Sequence, residues 1–349
     1  MEYDKITINN VDIEIIKDST LEEPLISVLI PTYKRGAYLY NAVDSIIHQE
    51  RHECNYEIII VNNDPEAEMI DIVRRYQIHR HVRIYRNTKN VGMVRNHNIC
   101  AELARGKYIA FLHDDDMLLP NYLRKVEKYL YLNYDNLYTS YYNYYPHSQG
   151  SYLKQCVKHF VESFFLIKYL FRHEIEYVFI NDVLRSGIRF SFTPSCGNLF
   201  RTDLFKEMGM FDPEKKYAFD MDFFFRWSRK HKTAKLRCKT GIYRHEVNAS
   251  QNDEVLLDFY NCLIDQLDLL KSDIKYSEFL VRNYEHILEL FRRNLSSEKL
   301  NSLGLTSKKS SKLNYRFFML KSFLYYIYNN MDYEAPINKI IIYSNDQAD

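Results

Sequence analysis

The chain has 349 residues, a formal net charge of +1 and 27% charged residues. That balance excludes the basic stripe of a nucleic-acid binder and the acidic tail of a solvating chain, and the length admits one large α/β domain with an extension. Six cysteines are scattered without a C-x-x-C pair, so they read as core thiols of a reducing compartment.

In chain order, residues 1–24 are polar with alternating Ile and Val, a pattern that predicts a hairpin turning at Asn9-Asn10 and closed by Pro24. Strand and helix patterns then alternate. Ile26–Ile30 is a strand, Tyr38–His48 a helix, Glu57–Val61 a strand and Glu66–Tyr76 a helix. Val82–Tyr85 is a strand, Met93–Ala104 a helix, and Tyr108–Leu112 a fourth strand. Such alternation predicts a mostly parallel sheet with helices on both faces. Ligands of these sheets collect at the carboxyl ends of the strands. The polar clusters fall there: Pro31 to Arg35, Asn62 to Asp64, and Asp114 to Asp116. Further on, Ser191–Phe200 reads as a strand, Asp220–Lys230 as a helix with a Phe/Trp face, and Lys235–Tyr243 as a strand. Helical patterns dominate from Val255 to near Asn329. Tyrosine is abundant, and the run from Tyr138 to Tyr145 suits a sugar-facing or interfacial surface as well as a compositional bias.

The most informative segment is the buried strand ending in Asp114, Asp115 and Asp116. Packed like charges resist ionisation unless something positive sits among them. Hard divalent cations take oxygen ligands of this kind. A solvated acidic loop is the other reading of the triplet taken alone.

Four motifs arrive in order: Ile26-Ser-Val-Leu-Ile-Pro-Thr-Tyr-Lys-Arg35, Tyr56-Glu-Ile-Ile-Ile-Val-Asn-Asn-Asp64, Asn90-Val-Gly-Met-Val-Arg-Asn96 and Phe111-Leu-His-Asp-Asp-Asp116. Together they resemble the nucleotide-sugar half of family 2 inverting glycosyltransferases. The resemblance implies an α/β fold of GT-A type, Rossmann-like, with a mostly parallel central sheet, helices on both faces and a helical C-terminal extension. It implies an N-terminal extension over 1–24, a catalytic domain over 25–250 and a helical region over 251–349. The nucleotide-sugar half of that domain spans 25–130 and the acceptor half 131–250.

The resemblance also implies roles. Pro31, Thr32, Tyr33 and Arg35 contact the nucleotide; Asn62 and Asn63 stand where the family has two aspartates, the second of which reads the base, and Asp64 follows them as a further nucleotide contact. Gly92 and Arg95 approach the diphosphate or ribose. Asp115 holds the ribose, Asp116 the metal (Mn²⁺ or Mg²⁺), and Asp114 is a weaker nucleotide contact. His113 replaces the motif's first Asp and reads as a tolerated variant. Downstream, Gly197 and Asn198 lie in a segment like the family's donor- and acceptor-facing strand. Phe219-Asp-Met-Asp222 resembles the Glu-Asp-x-Asp helix start, with Asp220 as base and Asp222 as supporting acid. An Asp at a helix start is also an ordinary cap. His245 follows a segment resembling the one that closes over the diphosphate, where it either ligates the metal or sits on the surface.

The chemistry so implied is single-displacement transfer of a hexose from a nucleoside diphosphate, most simply a UDP-sugar, to a glycan or lipid-linked acceptor in cell-surface polysaccharide assembly. A sugar nucleotidyltransferase is the rival enzyme, but its Gly-rich loop is missing. A non-catalytic nucleotide-sugar-binding or scaffolding protein is the other alternative, favoured by the departures at Asn63, His113 and Phe219. No signal pattern and no run of about 18 apolar residues is evident. A cytoplasmic protein is therefore expected, with the sequons at Asn248 and Asn294 accidental. The aromatic stretch Asn314 to Asn330, preceded by Lys308, Lys309 and Lys312, fits peripheral membrane contact, packing on the catalytic domain, or self-association.

Overall fold

Strands whose residues are apolar on both faces can be satisfied only in a sheet covered by helices on both sides. Residues 26–32 and 57–61 are buried throughout, and the fold follows from them. The computed structural model describes residues 3–19, 23–130, 134–144, 177–180, 196–231, 233–244 and 253–272. Its strands are β1 Lys5–Ile8, β2 Val11–Lys17, β3 Ile26–Thr32, β4 Tyr56–Asn62, β5 Val82–Asn87 and β6 Tyr108–Phe111. They are followed by β7 Met117–Leu118, β8 Asn136–Tyr144, β9 Tyr177–Ile180, β10 Leu199–Arg201 and β11 Thr233–Arg244. One sheet joins them in the order β1-β2-β5-β4-β3-β6-β10-β8-β11-β7, with β9 paired to β11. The central β5-β4-β3-β6 block is parallel, and β2 and β10 flank it antiparallel.

The helices among the described residues are α1 Ala37–Ile47, α2 Ile70–Tyr76, α3 Met93–Leu103, α4 Tyr122–Leu130, α5 Thr202–Glu207, α6 Phe219–Ser228 and α7 Asp253–Ser272. Because side chains alternate along a strand, β3 feeds two cores. Ile26, Val28 and Ile30 pack with α1, α2 and α4, whereas Leu29 faces α3 and an aromatic cluster built on α5 and α6. In that cluster Phe205, Phe211, Phe219, Phe223 and Trp227 meet one another at ring separations of 4.5–5.7 Å.

The expected hairpin is present, with Asn9 and Asn10 both at positive φ (51° and 62°), as a two-residue turn with the twist of its flanking strands requires. Its second strand pairs with β5, so the hairpin continues the main sheet. The second helix starts at Ile70 rather than Glu66, because the Asn62 and Asp64 side chains capture the intervening backbone. Asn62 Oδ1 accepts from Asp64 N (2.9 Å) and Asp64 Oδ1 from Glu66 N (3.3 Å), local bonds that compete with helix. The tyrosine run from 138 lies in β8, a strand inside the sheet whose Leu137 and Tyr138 are buried.

At the amino end of the parallel strands a buried polar node ties the sheet together. Arg83, 3% exposed, donates to Glu57 Oε2 at 2.8 Å, and Ser27 Oγ donates to Glu57 Oε1 at 2.6 Å. Removing one partner strands the other as a buried charge, at a cost of roughly 3–5 kcal/mol. Arg83→Met is therefore expected to lower unfolding stability in denaturant titration by that amount. Arg83→Met/Glu57→Leu recovers a measurable part of it. Equal stability of Arg83→Met and the parent would show that the node contributes nothing.

Candidate active site

The strand order reverses direction at β3: the chain moves from β3 to β4 on one side and returns to β6 on the other. The loops that leave β3 and β6 diverge at their carboxyl ends, which opens a crevice at this switch point. Residues 32–35 and 113–116 line it.

Thr32 is the last, buried residue of β3, and its hydroxyl and the amide of Tyr33 both hold Asp114. Tyr33 and Arg35 are exposed at the mouth. Arg35 spans two carboxylates, with Nε 3.3 Å from Asp114 and a terminal nitrogen 3.3 Å from Asp115. Burial nevertheless raises the Asp114 carboxyl to about 6, against the opposing pull of Thr32 and Arg35.

Asp116 is buried. Its Oδ1 accepts the backbone N–H of Arg244 at 2.9 Å. Its Oδ2 has no aligned hydrogen-bond donor among the described residues, although His113 Nδ1 lies 3.3 Å away. The thiol of Cys196 is buried beside the same carboxylate, and burial first and that charge second push its pKa up. Ligand atoms of His113, Asp115 and Asp116 lie within 4.8 Å of one another. A buried anionic oxygen without an aligned donor, next to a second carboxylate and an imidazole, fits a hard divalent cation. Burial works against the charged form of His113, but close contact with the Asp116 carboxylate, and the charges of Asp115 and Asp220, prevail and raise it to about 9.

Asp220 stands in the first turn of α6, half-buried, and Met221 N donates to its Oδ1 at 2.7 Å. Burial raises its pKa; the Met221 amide and the His113 charge pull the other way. Phe219, where a Glu was expected, packs on Phe211 (4.9 Å) and His97 (5.1 Å). His97 is itself buried among rings, and desolvation lowers it to about 3. An apolar wall thus backs the Asp220 carboxylate. The α6 start is fixed from α7, where Asp258 Oδ2 accepts from Tyr217 N (2.7 Å) and Ala218 N (2.8 Å).

Several expected ligand contacts have other partners. Asn63 is buried, and its oxygen accepts from Asn87 Nδ2 (2.9 Å) and Val91 N (3.0 Å) while its amide donates to Asn90 (2.8 Å). It closes the loop after β5 instead of facing the crevice. Asp64, partly exposed beside Lys34 at 4.0 Å, is the carboxylate at the mouth. Gly92, with φ 83°, precedes α3, and Arg95 is exposed on its first turn. Gly197 and Asn198 are buried in the turn that leads into β10. Gly197 has φ 73° and a side chain there would meet Leu118 and Tyr122 at 3.1 Å, and Asn198 Oδ1 accepts from Thr139 N at 2.8 Å. Asp222 is held by Arg226 Nε at 2.8 Å, and Arg226 also donates to the Met208 and Met210 carbonyls. That ion pair anchors α6 on its preceding loop. His245, residues 191–195 and residues 314–330 lie outside the described residues.

Two groups escaped the sequence reading. Arg244 Nε donates to the Asp115 carbonyl at 3.0 Å, and its guanidinium lies 4.7 Å from the centroid of the Tyr38 ring. Tyr243 is raised by burial and then by Asp116, Asp115 and Asp220. A basic pair at the end of a strand, Arg244-His245, was the available signal for this side of the crevice.

A model of the family described as "Glycosyl transferase family 2" matches residues 27–209. An uncharacterized glycosyltransferase of Methanocaldococcus jannaschii is 35% identical over 118 residues, which is 33% of this chain and 40% of that protein. The chain spans well under half the length of its more similar curated relatives. Among solved structures, TarS 1–349 of S. aureus in complex with UDP-GlcNAc superposes with a TM-score of 0.56 at 18% identity, covering 77% of this chain and 72% of that one. The mannosyltransferase PcManGT of Pyrobaculum calidifontis, in complex with GDP-Man and Mn²⁺, gives 0.52 at 14% identity, covering 90% and 86%. These likenesses show the expected GT-A fold.

Proposed function

Because the chain belongs to glycosyl transferase family 2, we propose that it transfers a hexose from a nucleoside-diphosphate donor to an acceptor hydroxyl, with inversion at the anomeric carbon. The observation that carries this reading is the buried Asp116 oxygen without an aligned donor, set among Asp115, His113 and Asp220. Asp116, with Asp115, would hold a divalent cation, Mn²⁺ or Mg²⁺, and His113 would join them only on giving up its proton. Such a cation, when bound, supplies the positive charge that makes a diphosphate a better leaving group. The Arg244 amide fixes one Asp116 oxygen and leaves the other for this purpose. Arg35 keeps Asp114 and Asp115 oriented at the mouth. Asp220 accepts the proton of the attacking hydroxyl, and its raised pKa makes it a better base than a free aspartate.

Base recognition falls to Asp64 and Tyr33 at the mouth, since the Asn63 amide is engaged in the loop. A carboxylate can accept a ring N–H of uracil. A uridine donor is further supported by the ligand of TarS. The acceptor is read as a cell-surface glycan or its lipid-linked precursor. Among the described residues no helix is long and apolar enough to cross a membrane.

Thermal stabilisation by a panel of nucleotide sugars tests the reading, since ligands that bind the native state raise apparent stability by mass action. A UDP-hexose with Mn²⁺ is expected to give the largest shift and slow donor hydrolysis, and chelation to remove both. Pyrophosphate release from a sugar phosphate and UTP would indicate the nucleotidyltransferase. Binding without any hydrolysis or transfer would indicate the non-catalytic protein.

A further inference from the structure

At the opposite end of the sheet, the segment between α1 and β4 carries His52 and Cys54, and α4 carries Glu127. Ligand atoms of these three side chains lie within 4.8 Å of one another. Cys54 Sγ is 3.7 Å from His52 Nδ1. Zinc bonds of about 2.3 Å to sulfur and about 2.0–2.1 Å to nitrogen, at a tetrahedral angle, place those two atoms roughly 3.6 Å apart. The observed separation matches two ligands on one ion, as it also matches an S–H···N hydrogen bond in the ion's absence.

The surroundings hold this loop against α4 before any ion binds. Glu127 Oε2 accepts the backbone amides of Glu53 (2.9 Å) and Cys54 (3.1 Å), which docks the loop on α4. Gln49 donates to Leu119 O and accepts from Leu123 N, and Glu50 N donates to Pro120 O at 2.7 Å. The His52 ring packs edge-on against Tyr56 at 5.3 Å. The same Nδ1 also lies 3.1 Å from the Cys54 carbonyl, a contact it would exchange for the ion.

The geometry points to a second metal site, a zinc site formed by His52, Cys54 and Glu127 with a fourth position for water, distinct from the cation position in the crevice. The donor sets differ in kind. Thiolate and imidazole select borderline-soft zinc, whereas the crevice offers mainly carboxylate oxygen to a hard cation. Binding replaces the Cys54 S–H bond with a sulfur–zinc bond and releases that proton to the buffer. The ion would clamp the α1–β4 segment to α4 and act on stability, since the site lies away from the carboxyl ends of the strands.

Metal-stripped full-length protein, titrated with Zn²⁺ against a chromophoric chelator and separately with Co²⁺, tests this. One tight zinc equivalent is expected in the parent and in Asp116→Asn, with a thiolate-to-cobalt charge-transfer band for Co²⁺. Cys54→Ser should weaken zinc by at least about a hundredfold, since even an outer-shell change costs 10–100-fold, and should abolish the band. Glu127→Gln keeps an oxygen for the two amides but not the charge, and should weaken zinc with the loop still docked. Absence of the cobalt band in the parent overturns the site whether or not the variants fold. So does parental zinc affinity in a folded Cys54→Ser.

Discussion

Asp116→Asn is expected to lower sugar transfer by roughly a thousandfold or more, the scale of losing several kcal/mol of charge stabilisation at a leaving diphosphate. An amide oxygen keeps the Arg244 N–H bond that now fixes Oδ1, so the fold is expected to survive. What is lost is the second anionic oxygen, buried and without an aligned donor. In the variant that position becomes an NH₂ facing His113 and Asp115, a donor that repels a hard cation. Donor hydrolysis measured across a Mn²⁺ titration should show both the drop in rate and a loss of metal-dependent nucleotide affinity. Parental activity in this variant, or parental activity under complete chelation, would remove Asp116 from any metal role.

Asp220→Asn is expected to lower kcat by roughly 10²–10⁴-fold while donor affinity stays within about twofold, the pattern of a lost general base. The neutral side chain can still accept the Met221 amide, so α6 keeps its first turn. The parent also carries a pH signature. Burial raises the Asp220 pKa in the fold, and only the ionised form takes a proton, so kcat falls as pH drops through that raised value. The acid limb should lie above the roughly 3.9 of a free aspartate, and it should vanish from the residual rate of the variant. A variant that instead loses donor binding, with kcat intact, would place Asp220 among nucleotide contacts.

The parallel strands and most of their helices were legible because their determinants are local: apolar runs of strand length, helical spacing, and turn residues between them. The carboxyl-end clusters were legible for the same reason, since topology alone sends them to one edge of the sheet. The partners of individual polar side chains were not. Asn63 reads as a base contact until Asn87, Asn90 and Val91 are seen to engage it from another strand and loop. Asp222 reads as an acid until Arg226, one helical turn on, is seen to hold it. His113 looked like a substitution to be tolerated, yet it stands 3.3 Å from Asp116. Arg244 reaches the aspartates from a strand more than a hundred residues away. The i,i+4 spacing of Asp222 and Arg226 was a local signal left unused, but no local pattern encodes the pairs distant in sequence. Hydrogen-bond satisfaction of buried groups decides them, and that is a property of the assembled fold.

The bond from Asp258 to the amides of Tyr217 and Ala218 bears on the order in which the protein matures during synthesis. Every strand among the described residues precedes residue 245, so a nascent chain of that length already contains the crevice and its aspartate triplet. At that stage the turn that presents Asp220 is held by the Ala218 N–H bond to Lys215 O (2.8 Å) but lacks the Asp258 carboxylate that also accepts from Tyr217 N. That acceptor arrives only when the first turns of α7 have left the ribosome and folded back. Donor-binding groups are thus translated as a unit, and the base is locked in place last.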